Sequence, residues 1–418
     1  MDRIRVKNFG PIKSGLSEQD GWMDIPKFCV FIGNQGSGKS TIAKLYSTFS
    51  WIEKALVRGD FTEKWLGRKN KLVNQFLPYH RISDYLIDSG DVSDQTEIDY
   101  EGDAYTISYR QSVLTATPKN EGSYKLPQLM YVPAERNFIA YVKSPKELKL
   151  SSESLKEFLT EFENAKHELK ASIKLPVNGV DLDYDRLNDV MNIRSSTYKI
   201  GLTDSSSGFQ SIVPMFLVSR YLSNKVKESI NGGEAGEPMS PKELNRFRKS
   251  IAEIFSNKSL KEDQKRAAIQ VLSEKFNKSA FINIVEEPEQ NLFPSSQWEM
   301  LKSLVRFAND LPDNKLLITT HSPYILNWFS ISGLAFEISK KISNNDELKR
   351  KLKQLLESSE RVAPSELAFY EFSEIHGTVK KLQTTEGVVS GNNFLNEYLR
   401  DSNTMLDDLL EIEELAVS

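Results

Sequence analysis

The sequence has a single cysteine, Cys29, and four histidines among 418 residues. One thiol cannot close an intramolecular disulfide, and no Cys/His spacing suits a structural zinc, so the composition fits a reducing, cytoplasmic compartment. Long apolar runs are also missing. No stretch reaches the roughly 18 apolar residues of a membrane span. The opening Met1-Asp-Arg-Ile-Arg-Val-Lys7 mixes charge with single apolar residues where a secretion signal would carry an apolar core. Neither secretion nor membrane insertion is expected. Charge of one sign is scarce too: 54 Lys+Arg against 58 Asp+Glu leave a net charge of -4. That balance excludes a surface built wholly to bind a polyanion and confines any nucleic-acid contact to a local groove. With 39% hydrophobic residues the chain can build a core, so disorder is excluded as the main state, and its length suits two or three structural units.

What is present begins with a short apolar strand, Ile25 to Ile32, that runs into Gly33-Asn34-Gln35-Gly36-Ser37-Gly38-Lys39-Ser40. This is the full spacing G-x-x-x-x-G-K-[ST]. Ile42, Leu45, Phe49, Ile52 and Leu56 follow at spacings of three and four, the pattern of a helix packed on a sheet. Glycines allow successive backbone N–H groups to turn inward around phosphates, and the helix N-terminus adds its positive dipole end. Lys39, expected at the loop's surface, would reach the β and γ phosphates, and Ser40, with Thr41 beside it, would offer a hydroxyl to Mg²⁺. A nucleoside triphosphate site is expected, with Gly33 to Thr41 as its phosphate cradle.

Later segments repeat the theme of a strand that ends in chemistry. Phe281-Ile-Asn-Ile-Val285 leads into Glu286-Glu287-Pro288, where a P-loop ATPase holds acidic residues across the sheet from the phosphates. Glu286 is expected to order Mg²⁺ through its waters, and Glu287 to polarise the water that attacks the γ-phosphate. Lys315-Leu-Leu-Ile-Thr319 delivers Thr320-His321-Ser322-Pro323, and His321 could hydrogen-bond the γ-phosphate or the attacking water. Asp204-Ser205-Ser206-Ser207-Gly208-Phe209-Gln210 precedes an apolar helical run. It reads as a second small-residue anion nest, suited to a phosphate bound by another copy, or as a serine-rich helix cap.

The order of these parts resembles the ABC-type ATPase heads of the RecF, Rad50, SMC and OLD branch, whose opening strand commonly reads like Ile4-Arg-Val-Lys-Asn-Phe-Gly10-Pro-Ile12. The likeness runs from residue 1 to about 330. Ser206-Ser207-Gly208-Phe209-Gln210 is similar to that family's signature, with Phe209 in place of the second glycine. Glu286-Glu287-Pro288-Glu289-Gln290-Asn291-Leu292-Phe293-Pro294 is similar to the OLD-type Walker B and D-loop, with a glutamate for the usual first aspartate. Tyr131-Val-Pro-Ala-Glu-Arg-Asn-Phe138 falls where the family has its Q-loop, without the glutamine, so Glu135 or Arg136 is the candidate nucleotide sensor. The resemblance implies an α/β fold: a P-loop NTPase, an ABC-ATPase head with a mixed sheet, an antiparallel β flank and an inserted helical lobe. It implies ATP and Mg²⁺ as cofactors and two heads clamping two ATP molecules head to tail. Each P-loop would face the partner's Ser206, Ser207, Gly208 and Gln210, and monomers would hydrolyse poorly. Stand-alone OLD-like chains of this kind resemble the ATPase subunits of anti-phage systems, PARIS above all and Septu second. By that likeness the partners are a homo-oligomer of ATP-sandwich dimers, a separately encoded Toprim nuclease effector and a phage-encoded trigger protein. A RecF-like repair ATPase that clamps DNA and a nucleotide-gated scaffold with negligible turnover are the competing readings.

The expected division assigns 1–145, 200–230 and 280–330 to the head, 146–199 and 231–279 to helical insertions, and 331–418 to a C-terminal cap. Glu97 to Arg110 alternates around Glu-Gly-Asp and reads as a hairpin. Ser240-Pro241-Lys242-Glu243 carries a helix-start signature. The basic residues that follow, among them Arg246, Arg248, Lys249, Lys258, Lys261, Lys265 and Arg266, are a solvated face or a contact for DNA or an acidic protein. Asp181-Leu-Asp183-Tyr-Asp185 lacks the glycine and glutamate of a calcium loop and reads as an acidic loop. The stretch after His321 leaves too little chain for a Toprim domain and is expected to be a helical cap ending in an acidic tail that can dock on a basic surface.

Overall fold

The computed structural model describes residues 1–88, 90–119, 124–142, 149–231, 241–256, 264–265 and 277–417. The N-terminal part contributes β1 (Asp2–Lys7), β2 (Gly15–Leu16), β3 (Met23–Ile25), β4 (Phe28–Gly33), helix α1 (Lys39–Arg58), β5 (Glu97–Glu101), β6 (Tyr105–Arg110), β7 (Val113–Pro118) and β8 (Pro127–Val132). The middle adds α2 (Glu153–Glu168), β9 (Ile173–Lys174), β10 (Asp181–Asp185), β11 (Val190–Arg194), β12 (Lys199–Gly201) and α3 (Ser207–Ile230). After a helix over Pro241–Ser256 come β13 (Ala280–Glu286), α4 (Pro294–Asn309), β14 (Lys315–Thr320), α5 (Pro323–Lys341), α6 (Asp346–Leu355), β15 (Leu367–Phe372), β16 (Thr378–Lys381) and α7 (Phe394–Val417).

The central sheet has seven strands in the order β2-β16-β15-β4-β14-β13-β8. Strands β15, β4, β14, β13 and β8 are parallel, and β16 runs antiparallel to β15. Parallel strands covered on both faces need side chains for two cores, and β4 supplies them by alternation. Phe28, Val30 and Ile32 enter the core beneath α2, α3, α4 and α5. Cys29 and Phe31 enter the opposite core, shared with α1 and a five-stranded antiparallel sheet in the order β3-β1-β5-β6-β7. The hairpin expected over 97–110 is β5 paired with β6. No helix among the described residues is long and apolar enough to cross a membrane.

Three expectations are corrected. Residues 146–199 are not wholly helical: α2 is followed by a four-stranded antiparallel sheet, β12-β11-β10-β9. The acidic loop is the strand β10, because Leu182 is buried between flanking aspartates, a period-two pattern. Residues 331–418 do not form a separate cap. Leu367–Phe372 is an entirely buried strand that pairs in parallel with β4 throughout its length, since six mostly apolar residues gain more by joining the sheet than by covering its edge. In the second insertion the helix begins at Pro241, as its signature requires. Residues 232–240, Lys258, Lys261 and Arg266, and the side chains of Arg246 and Arg248, lie outside the described residues.

Candidate functional site

The carboxyl ends of β4, β14 and β13 meet at one edge of the sheet, where open α/β sheets place their ligands. At the end of β4, Gly33 has φ +145°, and a Cβ there would lie 2.5 Å from the Phe372 carbonyl oxygen of the neighbouring β15. Gly38, at φ +101°, caps the N-terminus of α1. Both positions demand glycine, for contact in the first case and for backbone conformation in both. Asn34, Gln35 and Gly36 are exposed, Ser40 is half-buried, and Ser37 and Thr41 are buried. Asn34 donates through Nδ2 to Glu374 Oε1 at 2.9 Å, so the turn after β15 braces the loop.

Lys39 departs from its expected place. It is only 5% exposed, because its ammonium folds back to donate to the Gly33 and Asn34 carbonyl oxygens at 2.8 and 2.7 Å. Burial lowers its pKa to about 8, against the opposing pull of Glu287, Glu289, Glu374 and Glu286. An ammonium held on the loop's own carbonyls, beside a buried Ser37 hydroxyl with no partner among the described residues, is a cradle that an anion would complete.

Glu286 ends β13 and is 4% exposed. Its Oε2 accepts from the Ala134 N–H at 3.2 Å, and Oε1 lies 3.9 Å from Lys44 Nζ on α1. The next residue changes course. Glu287 has φ +44°, a left-handed conformation unusual without glycine, and its N–H donates to the Thr319 carbonyl at 2.8 Å. Such strain costs on the order of 1–3 kcal/mol and persists only where surroundings hold it. Its half-exposed carboxylate is brought within 3.4 Å of His321 Nε2. Contact with His321, aided by Lys39 and Arg136 and opposed by burial, holds the Glu287 carboxyl below the usual carboxylate range. The pair stands as an anionic group beside an imidazole at the mouth of the phosphate loop.

A glutamate and an asparagine beyond the expected pair, Glu289 and Asn291, complete the local network. Glu289 accepts from the His321 N–H at 2.7 Å and the Thr320 hydroxyl at 2.8 Å; burial raises its pKa, and its second oxygen has no partner among the described residues. Asn291 donates to the Ser211 hydroxyl at 3.0 Å, and its carbonyl oxygen lies 3.0 Å from where a Cβ on Gly208 would stand. Nothing in the spacing of Glu-Glu-Pro-Glu separates Glu289 from its neighbours; its hydrogen bonds from His321 and Thr320 do. The turn from Glu287 to Leu292 thus joins His321 to the start of α3.

At that start Ser206 and Ser207 are exposed, and Gly208 is half-buried. Gln210 is buried, and its amide donates to the Thr203 and Ser205 carbonyls at 2.9 and 3.2 Å. It shapes the loop before the helix and is not free to meet a nucleotide. Arg136, the candidate sensor, is corrected in the same way. It is fully buried, and its guanidinium donates to the carbonyls of Ser211 (3.1 Å), Pro133 (3.3 Å), Glu286 (2.7 Å) and Glu287 (2.7 Å). A flat fork of donors matches carbonyls converging from three segments, so Arg136 fixes the acidic turn to α3. Glu135, the other candidate, is exposed beside it.

A profile of the AAA ATPase domain matches residues 241–326, which include β13, α4, β14 and His321. The sequence matches no curated protein. Among solved structures, the SMC head domain from Thermotoga maritima is 9% identical over 92% of this chain and 98% of its own, with a TM-score of 0.39. An Smc head domain from Pyrococcus furiosus, bound to the C-terminal domain of ScpA, is 10% identical over 98% and 100%, with a TM-score of 0.34. A dimeric ATP-binding cassette bound to ADP and Pi is 9% identical over 92% and 100%, with a TM-score of 0.31. On its own topology the chain is an α/β P-loop protein with a mixed central sheet and an antiparallel flank. With the ATPase-domain match, it is an ATP-binding ATPase.

Proposed function

We propose that this ATPase works as a clamp in which two copies close head to tail on two ATP molecules. Each nucleotide would be held by Gly33–Thr41 of one copy and by Ser206, Ser207 and Gly208 of the other. The observation that carries the reading is the exposed Ser206–Ser207 pair at the N-terminus of a 24-residue helix, an anion-binding end that opens to solvent. Asn291 and Arg136 tie the first turn of this helix to the acidic turn of the same copy, so closure around a partner's ATP would be felt at Glu287. Within each site Lys39 would leave the loop carbonyls for the β and γ phosphates. Glu287 would polarise the attacking water, with His321 holding the orientation. Ser40 and Glu286 are the groups suited to Mg²⁺, which usually takes one or two protein oxygens and completes its shell with phosphates and waters. The ion would neutralise charge on the β and γ oxygens.

The likeness at Glu286–Pro294 extends the proposal to an OLD-like defence ATPase that restrains a separately encoded nuclease until a phage protein is sensed. The exposed α7, with Tyr398, Met405, Leu409 and Ile412 uncovered and acidic residues around them, supports a role in holding a partner protein. The clamp is tested by mixing Lys39→Ala and Ser207→Arg chains, each inactive alone. A heterodimer then contains one intact composite site, and ATPase activity should partly return. If the mixture stays inactive while the two chains are shown to associate, the clamp is wrong.

A further inference from the structure

Away from the phosphate loop, a cavity of about 380 Å³ opens between α1, the segment 61–80 and β8. Trp51, which lines it, lies about 16 Å along α1 from Ser40 at 1.5 Å per residue. The volume is that of about a dozen waters at ~30 Å³ each, and it lies within the usual range of small-molecule pockets. Rings make most of the wall. Trp51, Phe61, Trp65 and Phe76 form a mutually packed cluster with centroids 5.0–6.5 Å apart. Tyr79 and Tyr131 both pack against His80, at 4.6 and 4.5 Å. Phe76 and Gln75 reach the wall from a π-helical turn, Leu72–Phe76, a rare geometry that recurs at functional sites.

The carboxylate of the wall, and a lysine packed on one of its rings, already have partners. The Glu157 carboxylate accepts from the Tyr79 hydroxyl, and the Lys71 ammonium lies 3.9 Å above the Trp65 ring. His80 is different. It is 3% exposed, and neither ring nitrogen has a hydrogen-bond partner among the described residues. Burial, with the Lys44 cation nearby, pushes its pKa down to about 3, so the imidazole is neutral and offers one N–H donor and one bare acceptor. A buried donor and acceptor left together cost free energy unless something meets both.

We infer that this cavity is a second ligand site, distinct from the ATP site, for a neutral nitrogen heterocycle of nucleobase or nucleoside size, stacked on the aromatic wall and hydrogen-bonded to both nitrogens of His80. A flat ring matches aromatic faces. An edge carrying a donor beside an acceptor, as nucleobases have, matches a neutral imidazole. A phosphorylated ligand fits less well, because Glu157 stands exposed at the mouth.

Isothermal titration of the full chain with adenosine, guanosine, cytidine and uridine tests this. At least one nucleoside should bind one per chain with a Kd on the order of 10–100 µM, the scale expected of a ligand that small. Binding should persist in Lys39→Ala, which disables the phosphate loop. It should weaken at least about tenfold in His80→Phe and vanish in Thr48→Trp, which fills the cavity from α1. His80→Phe should melt at or above the wild-type temperature, since no hydrogen bond to a described residue is lost; replacing a structural histidine would lower it. Failure of all four nucleosides to bind at 1 mM, or binding that ignores both the His80 and Thr48 substitutions, overturns the inference.

Discussion

Replacing Arg136 separates a structural clasp from a nucleotide sensor. Its guanidinium makes four hydrogen bonds, to the carbonyls of Ser211, Pro133, Glu286 and Glu287. Burial lowers its pKa to about 10, with Glu289, Glu287 and Glu286 opposing, so it is still cationic at neutral pH. In Arg136→Lys a single ammonium replaces the fork and can serve about half of those carbonyls. Hydrogen bonds to a charged group contribute roughly 1.5–3 kcal/mol each, so the loss of two, partly recovered by water, is about 3 kcal/mol. At roughly 2–4 °C per kcal/mol for a large domain, the melting temperature should fall by roughly 6–12 °C. Arg136→Met, which abandons every carbonyl, should fall further. Because Glu287 keeps its left-handed backbone partly through this contact, kcat should drop about tenfold or more in the lysine variant while KM for ATP changes little. Differential scanning fluorimetry and a phosphate-release assay measure both. A lysine variant with wild-type Tm and a raised KM would refute the clasp and restore the sensor.

Three further outcomes follow from the site. Lys39→Ala should abolish ATP binding in calorimetry and leave the fold intact, since among the described residues the side chain bonds only to loop carbonyls. The lowered pKa of Lys39 also sets a pH signature. Its folded value of about 8 lies below the unfolded 10.5, so the nucleotide-free protein should gain stability from this group as pH rises from about 8 to 10.5. ATP, which favours the ammonium, should bind with proton uptake near pH 8 and more weakly above it, as titrations in buffers of different ionisation enthalpy would show; pH-independent affinity from 7 to 9.5 would count against it. Glu287→Gln should retain ATP but slow hydrolysis by about 100-fold or more, the scale of a lost general base, whereas Glu286→Gln should weaken Mg²⁺-dependent binding. Light scattering with Mg-ATP should then show a persistent larger species only for the Glu287 variant, and equal hydrolysis by that variant and wild type would overturn its role.

The parts legible in the sequence were those held by local forces. The phosphate loop needs glycines where the backbone turns left-handed, and α1 needs an apolar stripe; both are written within about thirty residues of chain, and the structure reproduces strand, loop and helix there. The Glu97–Arg110 hairpin is equally local. Other features depend on partners that the chain brings together only on folding. Arg136 reads as a candidate nucleotide sensor until its partners are counted: Ser211 is 75 positions away and Glu286 is 150. Leu367–Phe372 has the same apolar pattern whether it covers a sheet or enters one, and only its pairing with β4 decides. The β9–β12 sheet was hidden behind a charged composition, since alternation with so few apolar residues is a weak signal until Leu182 and Ile193 find a common core. Sequence alone therefore determined where the glycine-rich loop and its helix lie. The tertiary structure decided which side chains are held in place around them, because burial and long-range hydrogen bonds are properties of the folded chain and not of any segment of it.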